Sequence, residues 1–195
     1  MNTVKHGVYL GEWHLMDVFE AIEKRHSVRA YLADPVPEEK LARVLEAGRL
    51  APSAANVQPW HFVVVNDAEK RNRLAGGGKW AGFLAEAPVA IVGCGDKEAS
   101  PKWCVVDTTI ALENMVLAAT GEGLGTCWIG SFVEAEVKKL LNLPDKYCVV
   151  AILSLGFPRE KLDLERELLR TARPRKRMGE IASLDTFGAG FSEKP

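Results

Sequence analysis

A basic stretch near the N-terminus contains residue types that can bind a phosphate. Arg25, Ser27 and Arg29 follow an amphipathic run, and the residues among them favour an extended backbone. Because alternate side chains of an extended segment share a face, we expect these three to point the same way. Two guanidiniums flanking a hydroxyl offer forked and single donors to a phosphate. The alternative interpretation is that the cluster only complements the dipole at the end of the preceding helix.

A second polar cluster lies in residues 52–59, which their Pro, Ser and Asn content predicts to be a loop. Ser53, Asn56 and Gln58 supply a hydroxyl and two amides within six positions. Together they can donate and accept hydrogen bonds along the edge of a polar ligand. Each residue taken singly suits a turn or a helix cap at least as well.

A glycine-rich stretch forms the third motif, Gly123-Leu124-Gly125-Thr126-Cys127-Trp128-Ile129-Gly130. It differs from the dinucleotide-binding fingerprint, which needs a strand before its glycines, a helix after them and another spacing. We expect the glycines to let the backbone come close to a flat ligand at the start of a strand.

In this order, the three motifs resemble the nitroreductase family of FMN-dependent oxidoreductases. The shared patterns are basic-Ser-x-Arg, Pro-Ser-x-x-Asn-x-Gln-Pro-Trp and Gly-Leu-Gly-Thr-x-Trp-Ile-Gly, and the resemblance runs from about Met16 to about Ile181. It implies a bound FMN, NAD(P)H as a transient co-substrate, and a homodimer with shared active sites. Because the flavin carries the hydride chemistry, no catalytic side chain is expected.

The resemblance also assigns residues to the cofactor. The implied cofactor-binding residues are Arg25, His26, Ser27, Arg29, Pro52, Ser53, Asn56, Gln58, Ile129, Gly130, Arg173 and Arg175. The loop residues are implied to approach the flavin across the dimer interface, and the backbone amides of Ile129 and Gly130 to approach its N5 edge. Arg173 and Arg175 fit the family's C-terminal phosphate-contacting pattern best. Lys176 or Arg177 could take the role if the pattern is shifted by one residue.

The hydrophobic pattern predicts an α+β fold with a mixed central β-sheet and helices on both faces. Apolar and β-branched runs predict strands at about 60–66, 88–94, 126–130 and 148–155. Apolar spacing and capping residues predict helices over about 37–50, 68–75, 105–119 and 133–141. Asp67 is the predicted N-cap of the second helix, and a capping box from Ser131 to Glu134 is predicted to open the last. Residues 16–195 are expected to form a single FMN-binding domain. Residues 1–15 form an N-terminal arm with three open interpretations: a flexible arm, an added remnant, or an upstream start before Met16.

The composition argues against several classes of protein. The 195 residues carry 25 basic and 26 acidic side chains, so no global field favours nucleic acid or a membrane surface. The four cysteines form no Cys-x-x-Cys motif, which argues against a zinc site or dithiol redox chemistry. No apolar run is long enough to span a bilayer, and the N-terminus lacks a signal-peptide core, so the expected location is cytoplasmic.

These inferences predict an FMN-dependent NAD(P)H oxidoreductase that reduces nitroaromatics, quinones or similar small electrophiles. Without a dinucleotide fingerprint, we expect nicotinamide and acceptor to use one pocket in turn, which gives ping-pong kinetics. The alternatives are different flavin chemistry on the same scaffold, such as dehalogenation or flavin breakdown, and a non-catalytic flavin-binding or redox-sensing protein. The apolar 105–119 helix, including Met115, is expected to form the homodimer interface.

Overall fold

The computed structural model describes residues 16–78, 81–159, 172 and 174–190 and divides the chain into two units, residues 1–160 and 161–195. The expected arm at residues 1–15 lies outside the described residues. In the first unit the helices are α1 (Val18–Lys24), α2 (Glu38–Arg49), α3 (Ala68–Gly76), α4 (Cys104–Gly121) and α5 (Glu134–Leu141). The strands are β1 (Trp60–Val65), β2 (Val89–Asp96), β3 (Gly125–Ile129) and β4 (Tyr147–Gly156). Short 3₁₀ turns occupy Ala54–Asn56 and Gly82–Ala85.

The four strands form one sheet in the order β1-β2-β4-β3, and each neighbouring pair runs antiparallel. The α+β class with helices on both faces is confirmed. Pairing among these strands is antiparallel rather than mixed. Strand β4 separates β2 from β3, and β2 separates β1 from β4, so strands that run in the same direction are never neighbours in this sheet. In the described part of the chain, parallel pairing is confined to an isolated bridge between Ser27 and Thr126 at the β3 edge.

Two hydrophobic layers cover the two faces of the sheet. On β2, Ala90 and Val92 point into the layer closed by α3 and α5, whereas Val89 and Ile91 point into the layer closed by α2 and α4. This alternation follows from the two-residue period of a strand, and it explains why β2 is apolar at nearly every position.

Helix α4 is apolar around most of its circumference because different sides of it face different surroundings. Met115 is fully buried between the sheet and α2, and a Cβ at Gly48 would lie 2.1 Å from the Met115 Cε. The expectation that Met115 lies at a dimer interface is therefore wrong, since this side chain belongs to the core of the protomer. Val105, Val106 and Ile110, nearer the start of the helix, are 50, 47 and 37% exposed.

Two predicted caps have different outcomes. Asp67 caps α3 as its position suggests, because its Oδ1 accepts the backbone N–H of Lys70 at 2.8 Å. The capping box from Ser131 to Glu134 is wrong. Helix α5 begins at Glu134 itself, and the Glu134 Oε1 accepts the backbone N–H of Val149 at 3.1 Å, which ties the helix to β4.

The described part of the second unit is short. It contains α6 (Met178–Ile181) and an isolated antiparallel bridge between Ser183 and Gly190. That residues 16–195 form a single domain stays a prediction. Among the described residues, no helix combines the length and the apolar character that crossing a bilayer requires.

Candidate cofactor-binding site

The basic segment lies against the edge of β3, so the first and third motifs are neighbours. The Val28 N–H donates to the Thr126 carbonyl at 2.8 Å, and Ser27 forms the parallel bridge with the same residue. The Val28 side chain packs directly on Gly125, where an added Cβ would come within 2.6 Å of its Cγ2. A glycine at position 125 therefore lets the segment approach the sheet.

The side chains of the segment alternate between two sides. Val28 and Ala30 are buried, while Arg25, Ser27 and Arg29 are half-buried, as the extended backbone predicts. Within the described part of the chain, the Arg25 guanidinium and the Ser27 hydroxyl make no hydrogen bond or ion pair. Half-buried donors that find no acceptor in this described part fit an anionic ligand such as a phosphate.

A buried polar contact fixes the segment from beneath. The Tyr31 hydroxyl donates to the Val28 carbonyl at 2.6 Å and lies 2.6 Å from the Ser154 Oγ of β4. Burial raises the pKa of Tyr31 well above its usual range, so the phenol remains a neutral donor. Because its proton goes to Val28, the Ser154 hydroxyl donates to Tyr31.

The glycines of the third motif have different roles from the one expected. Gly123 has φ +74° just past the end of α4, and the Leu124 N–H then closes the helix on the Ala119 carbonyl at 2.8 Å. Gly125 accommodates Val28 rather than a ligand. At Gly130 an added Cβ would meet no atom within 4 Å, and these open surroundings fit the expected approach of a flat group; Gly123 is equally open but serves the helix end.

The 52–59 loop is held in a strained conformation. Ala55, Asn56 and Gln58 have φ of 50°, 56° and 52°, a region that side chains other than glycine rarely occupy. The Ser53 Oγ accepts the Gln58 N–H at 2.9 Å, and the Gln58 Nε2 donates to the Asn56 carbonyl at 3.2 Å. The Asn56 side-chain amide is exposed and makes no hydrogen bond in the described part of the chain. Such strain concentrates at functional sites.

Asp107 is a residue that sequence reasoning did not assign to the site. Its carboxylate is 3% exposed in the first turn of α4 and accepts the Ala54 N–H of the loop at 3.3 Å. At the other end of the loop, the Pro59 carbonyl accepts the Asp96 N–H at 2.8 Å. The available signal was an aspartate in the first turn of a mostly apolar helix, because a buried carboxylate needs donors from another segment.

The loop and the basic segment lie at opposite ends of the sheet within one protomer. The bridge between Ser27 and Thr126 is level with Val89 at the start of β2. The loop leads into β1 at Trp60, which pairs with Gly95 six residues further along β2. Six strand residues span about 20 Å, and three strand spacings add about 14 Å across the sheet. One protomer therefore does not bring the two clusters together.

The C-terminal candidates are only partly described. Arg175 lies in the second unit and is exposed, whereas Arg173 lies outside the described residues. Their assignment to the phosphate stays a prediction.

A family model for the nitroreductase family matches residues 22–77 and 75–157. The chain belongs to the nitroreductase family. A protein of Methanothermobacter thermautotrophicus assigned as an NADH dehydrogenase/NAD(P)H nitroreductase is 36% identical over 156 residues, covering 77% of this chain and 82% of that protein. A 5,6-dimethylbenzimidazole synthase of Rhodospirillum rubrum is 31% identical over 185 residues, covering 77% of this chain and 87% of the synthase. The structure of an FMN-dependent nitroreductase from Clostridium difficile matches with a TM-score of 0.72 at 32% identity, covering 86% of this chain and 98% of that one. The family predicted from the three sequence motifs is confirmed.

Proposed function

We propose that this nitroreductase-family protein is an NAD(P)H-dependent oxidoreductase that uses bound FMN to reduce small electrophiles such as nitroaromatics and quinones. The observation that carries the proposal is the pair of donors Arg25 and Ser27, which lie against the glycine-rich strand and have no partner among the described residues. The named relatives support the same class, since one is an NAD(P)H nitroreductase by assignment and another is an FMN-dependent nitroreductase.

The chain supplies binding and orientation. Arg25, Ser27 and Arg29 hold the phosphate of FMN, with His26 at the edge of the cradle. The backbone of Ile129 and of exposed Gly130 receives the flavin ring. FMN, when bound, supplies the hydride chemistry.

The cofactor site is built from two copies of the chain. Within one protomer the 52–59 loop is too far from the basic segment to serve the same FMN, and its exposed Asn56 amide has no partner in the described part of the chain. In the proposed dimer, a twofold axis packs α4 on its own copy, and the loop of one chain meets the basic segment of the other. Pro52, Ser53, Asn56 and Gln58 then contact the flavin that the partner subunit holds.

Exposed apolar side chains support this assembly. On α1, Val18, Phe19 and Ile22 are 59, 71 and 47% exposed, and α1 packs on α4. Val106 and Ile110 of α4 are exposed as well, and exposed apolar side chains on neighbouring helices are typical of an interface.

The same pocket serves both substrates. Because the chain carries no dinucleotide fingerprint, nicotinamide and acceptor each stack at the flavin, and NAD(P)⁺ leaves before the acceptor enters. Parallel double-reciprocal lines with NADPH and a nitroaromatic are the expected steady-state result. Intersecting lines, which indicate a ternary complex, would contradict the shared pocket.

The phosphate assignment is tested with Arg25→Ala and a matched control, Arg49→Ala, whose guanidinium is exposed and paired with Glu46. A charge-assisted bond contributes about 1.5–3 kcal/mol, so Arg25→Ala should weaken FMN binding about tenfold or more while the control is unchanged. Equal FMN dissociation constants for the two variants would overturn the assignment.

The shared site is tested by mixing chains. Arg25→Ala damages the basic segment, and Asn56→Ala combined with Ser53→Ala damages the loop. If each site takes one element from each chain, every mixed dimer has one intact site and one doubly damaged site. Random exchange makes about half of the dimers mixed, so up to about a quarter of wild-type activity should return. If both elements came from one chain, no mixture would recover activity.

The interface is tested with two valines of similar exposure. Val106→Glu places a charge on α4, and Val133→Glu places one on the opposite face, where Val133 is 49% exposed. Light scattering and flavin fluorescence should show that only Val106→Glu dissociates the protein and releases flavin. A Val106→Glu variant that stays dimeric and keeps its flavin would contradict the assignment of α4 to the interface.

A second candidate function is breakdown of the flavin itself. It is favoured by the 31% identity to a 5,6-dimethylbenzimidazole synthase, whose product contains the dimethylbenzene ring that is also part of a flavin. Mass spectrometry of flavin incubated with the protein, NADPH and oxygen distinguishes the two. Dimethylbenzimidazole appearing as flavin is lost supports breakdown, and an intact flavin that turns over a nitroaromatic supports reduction.

A further inference from the structure

A cavity of about 570 Å³ lies at the end of the sheet where β1 ends and β2 begins. It is lined by Tyr31, Ala33, Pro35, Asn66, Arg71, Ala85, Glu86, Pro88 and Arg159. None of the residues proposed above to bind FMN contributes to this lining. The 52–59 loop enters the sheet at its other end. The basic segment is nearer, because Tyr31 of the lining donates to the Val28 carbonyl, but Arg25, Ser27 and Arg29 do not line the cavity.

The polar lining has more positive charge than its own carboxylate can match. Arg159 is paired with Glu86, with an Nη2–Oε2 distance of 2.6 Å. Arg71 has no ion pair among the described residues, and its Nη1 donates to the backbone carbonyl of Asn66. Its Nε is buried and has no hydrogen-bond partner in the described part of the chain. A guanidinium remains protonated, so this arrangement leaves a charge and a donor uncompensated.

We infer that this cavity binds a small organic anion through Arg71 and Arg159. Two guanidiniums that line one cavity suit a group with two or more oxygens, and both carboxylates and phosphates present such a group. The remaining walls, formed by proline, alanine and the ring of Tyr31, suit an apolar body attached to the anion. The inference is independent of the proposed oxidoreductase activity.

Glu86 competes with the ligand for Arg159. Its carboxylate forms an ion pair with that guanidinium and adds a negative charge to the cavity wall. Removing this charge should therefore tighten anion binding. This sign is opposite to what loss of structure produces, and it separates a specific site from a general effect of mutation.

The experiment uses the full-length, flavin-loaded protein, in which the proposed phosphate cradle is already filled. Inorganic phosphate and benzoate are titrated separately at low salt, and binding is followed by NMR of the arginine Nε–H and backbone amide signals. The expected result is saturable shifts at Arg71, Arg159 and Asn66 with at least one of the two anions. The anion that binds more tightly identifies the class of ligand.

Three variants complete the test. Arg71→Gln should lower the affinity for the anion at least tenfold, and Glu86→Gln should raise that affinity severalfold. Arg73→Gln, on the same helix but outside the cavity, should leave affinity unchanged. The inference is overturned if neither anion saturates, if the shifts centre on Arg25 and Ser27, if Arg71→Gln and Arg73→Gln have equal effects, or if Glu86→Gln fails to tighten binding.

Discussion

Three glycines at alternate positions should respond differently to the same change to alanine. At Gly121, in the last turn of α4, a Cβ would meet no atom within 4 Å, so alanine should stabilise the helix by up to about 1 kcal/mol. At Gly123 the φ of +74° is unfavourable for alanine and should cost about 1–2 kcal/mol. At Gly125 a Cβ would lie 2.6 Å from the Val28 Cγ2 and 2.8 Å from the Val28 Cβ.

The clash at Gly125 cannot be relieved by rotating Val28, because its Cβ is itself too close. Carbon atoms pack best at about 3.5–4.0 Å, so the segment must move by about 1 Å, and such overpacking costs about 1–3 kcal/mol. This movement strains the bond from the Val28 N–H to Thr126 and displaces Arg25 and Ser27. Gly125→Ala should therefore also weaken FMN binding about tenfold, the loss expected for one charge-assisted bond.

The assay compares the three alanine variants side by side by urea unfolding of the apoprotein and by flavin fluorescence titration. Gly123→Ala is the control for instability alone, since it should lose stability with a smaller change in flavin affinity. Adding Val28→Ala to Gly125→Ala removes both Cγ contacts but not the Cβ contact, so it should restore only part of the loss. If Gly125→Ala is as stable as Gly121→Ala, the packing argument is wrong. If it loses stability but binds flavin normally, β3 does not position the basic segment.

Three further changes test the described contacts. The hydrogen bonds from Arg43 hold the pKa of Glu122 below its usual range, so the pair stabilises the fold above the unfolded pKa of the carboxyl. Unfolding measured against pH should show Glu122→Gln less stable by about 1 kcal/mol at neutral pH, with the difference vanishing as acid protonates the carboxylate. Burial raises the pKa of Cys94 to about 12, so iodoacetamide at pH 8 should modify half-buried Cys148 well before Cys94, as mass spectrometry can show. Asp67→Ala should lower the free energy of unfolding by about 1 kcal/mol in urea, because it removes the cap of α3.

The local elements of this protein could be predicted from the amino-acid sequence because they depend on local chemistry. The four strands are buried runs of apolar and β-branched residues, and each begins and ends within two residues of the predicted bounds. The family could also be recognised, because its three motifs consist of short segments whose residue types and spacing are visible without a fold. The alternation of buried and half-buried side chains from Arg25 to Ala30 likewise follows from a two-residue period.

Only the tertiary structure decided which segments meet, because contacts between distant parts of the chain leave no local pattern. Nothing near Gly125 indicates that Val28 packs on it, and nothing in the apolar α4 distinguishes buried Met115 from exposed Val106. The strand order β1-β2-β4-β3 puts β1 and β3 at opposite edges of the sheet, which separates the 52–59 loop from the basic segment. The burial of the Asp107 carboxylate is explained only by its hydrogen bond from the Ala54 N–H of the loop. Each of these depends on loops that close over dozens of residues, where the energy of the final packing, and not local propensity, selects the arrangement.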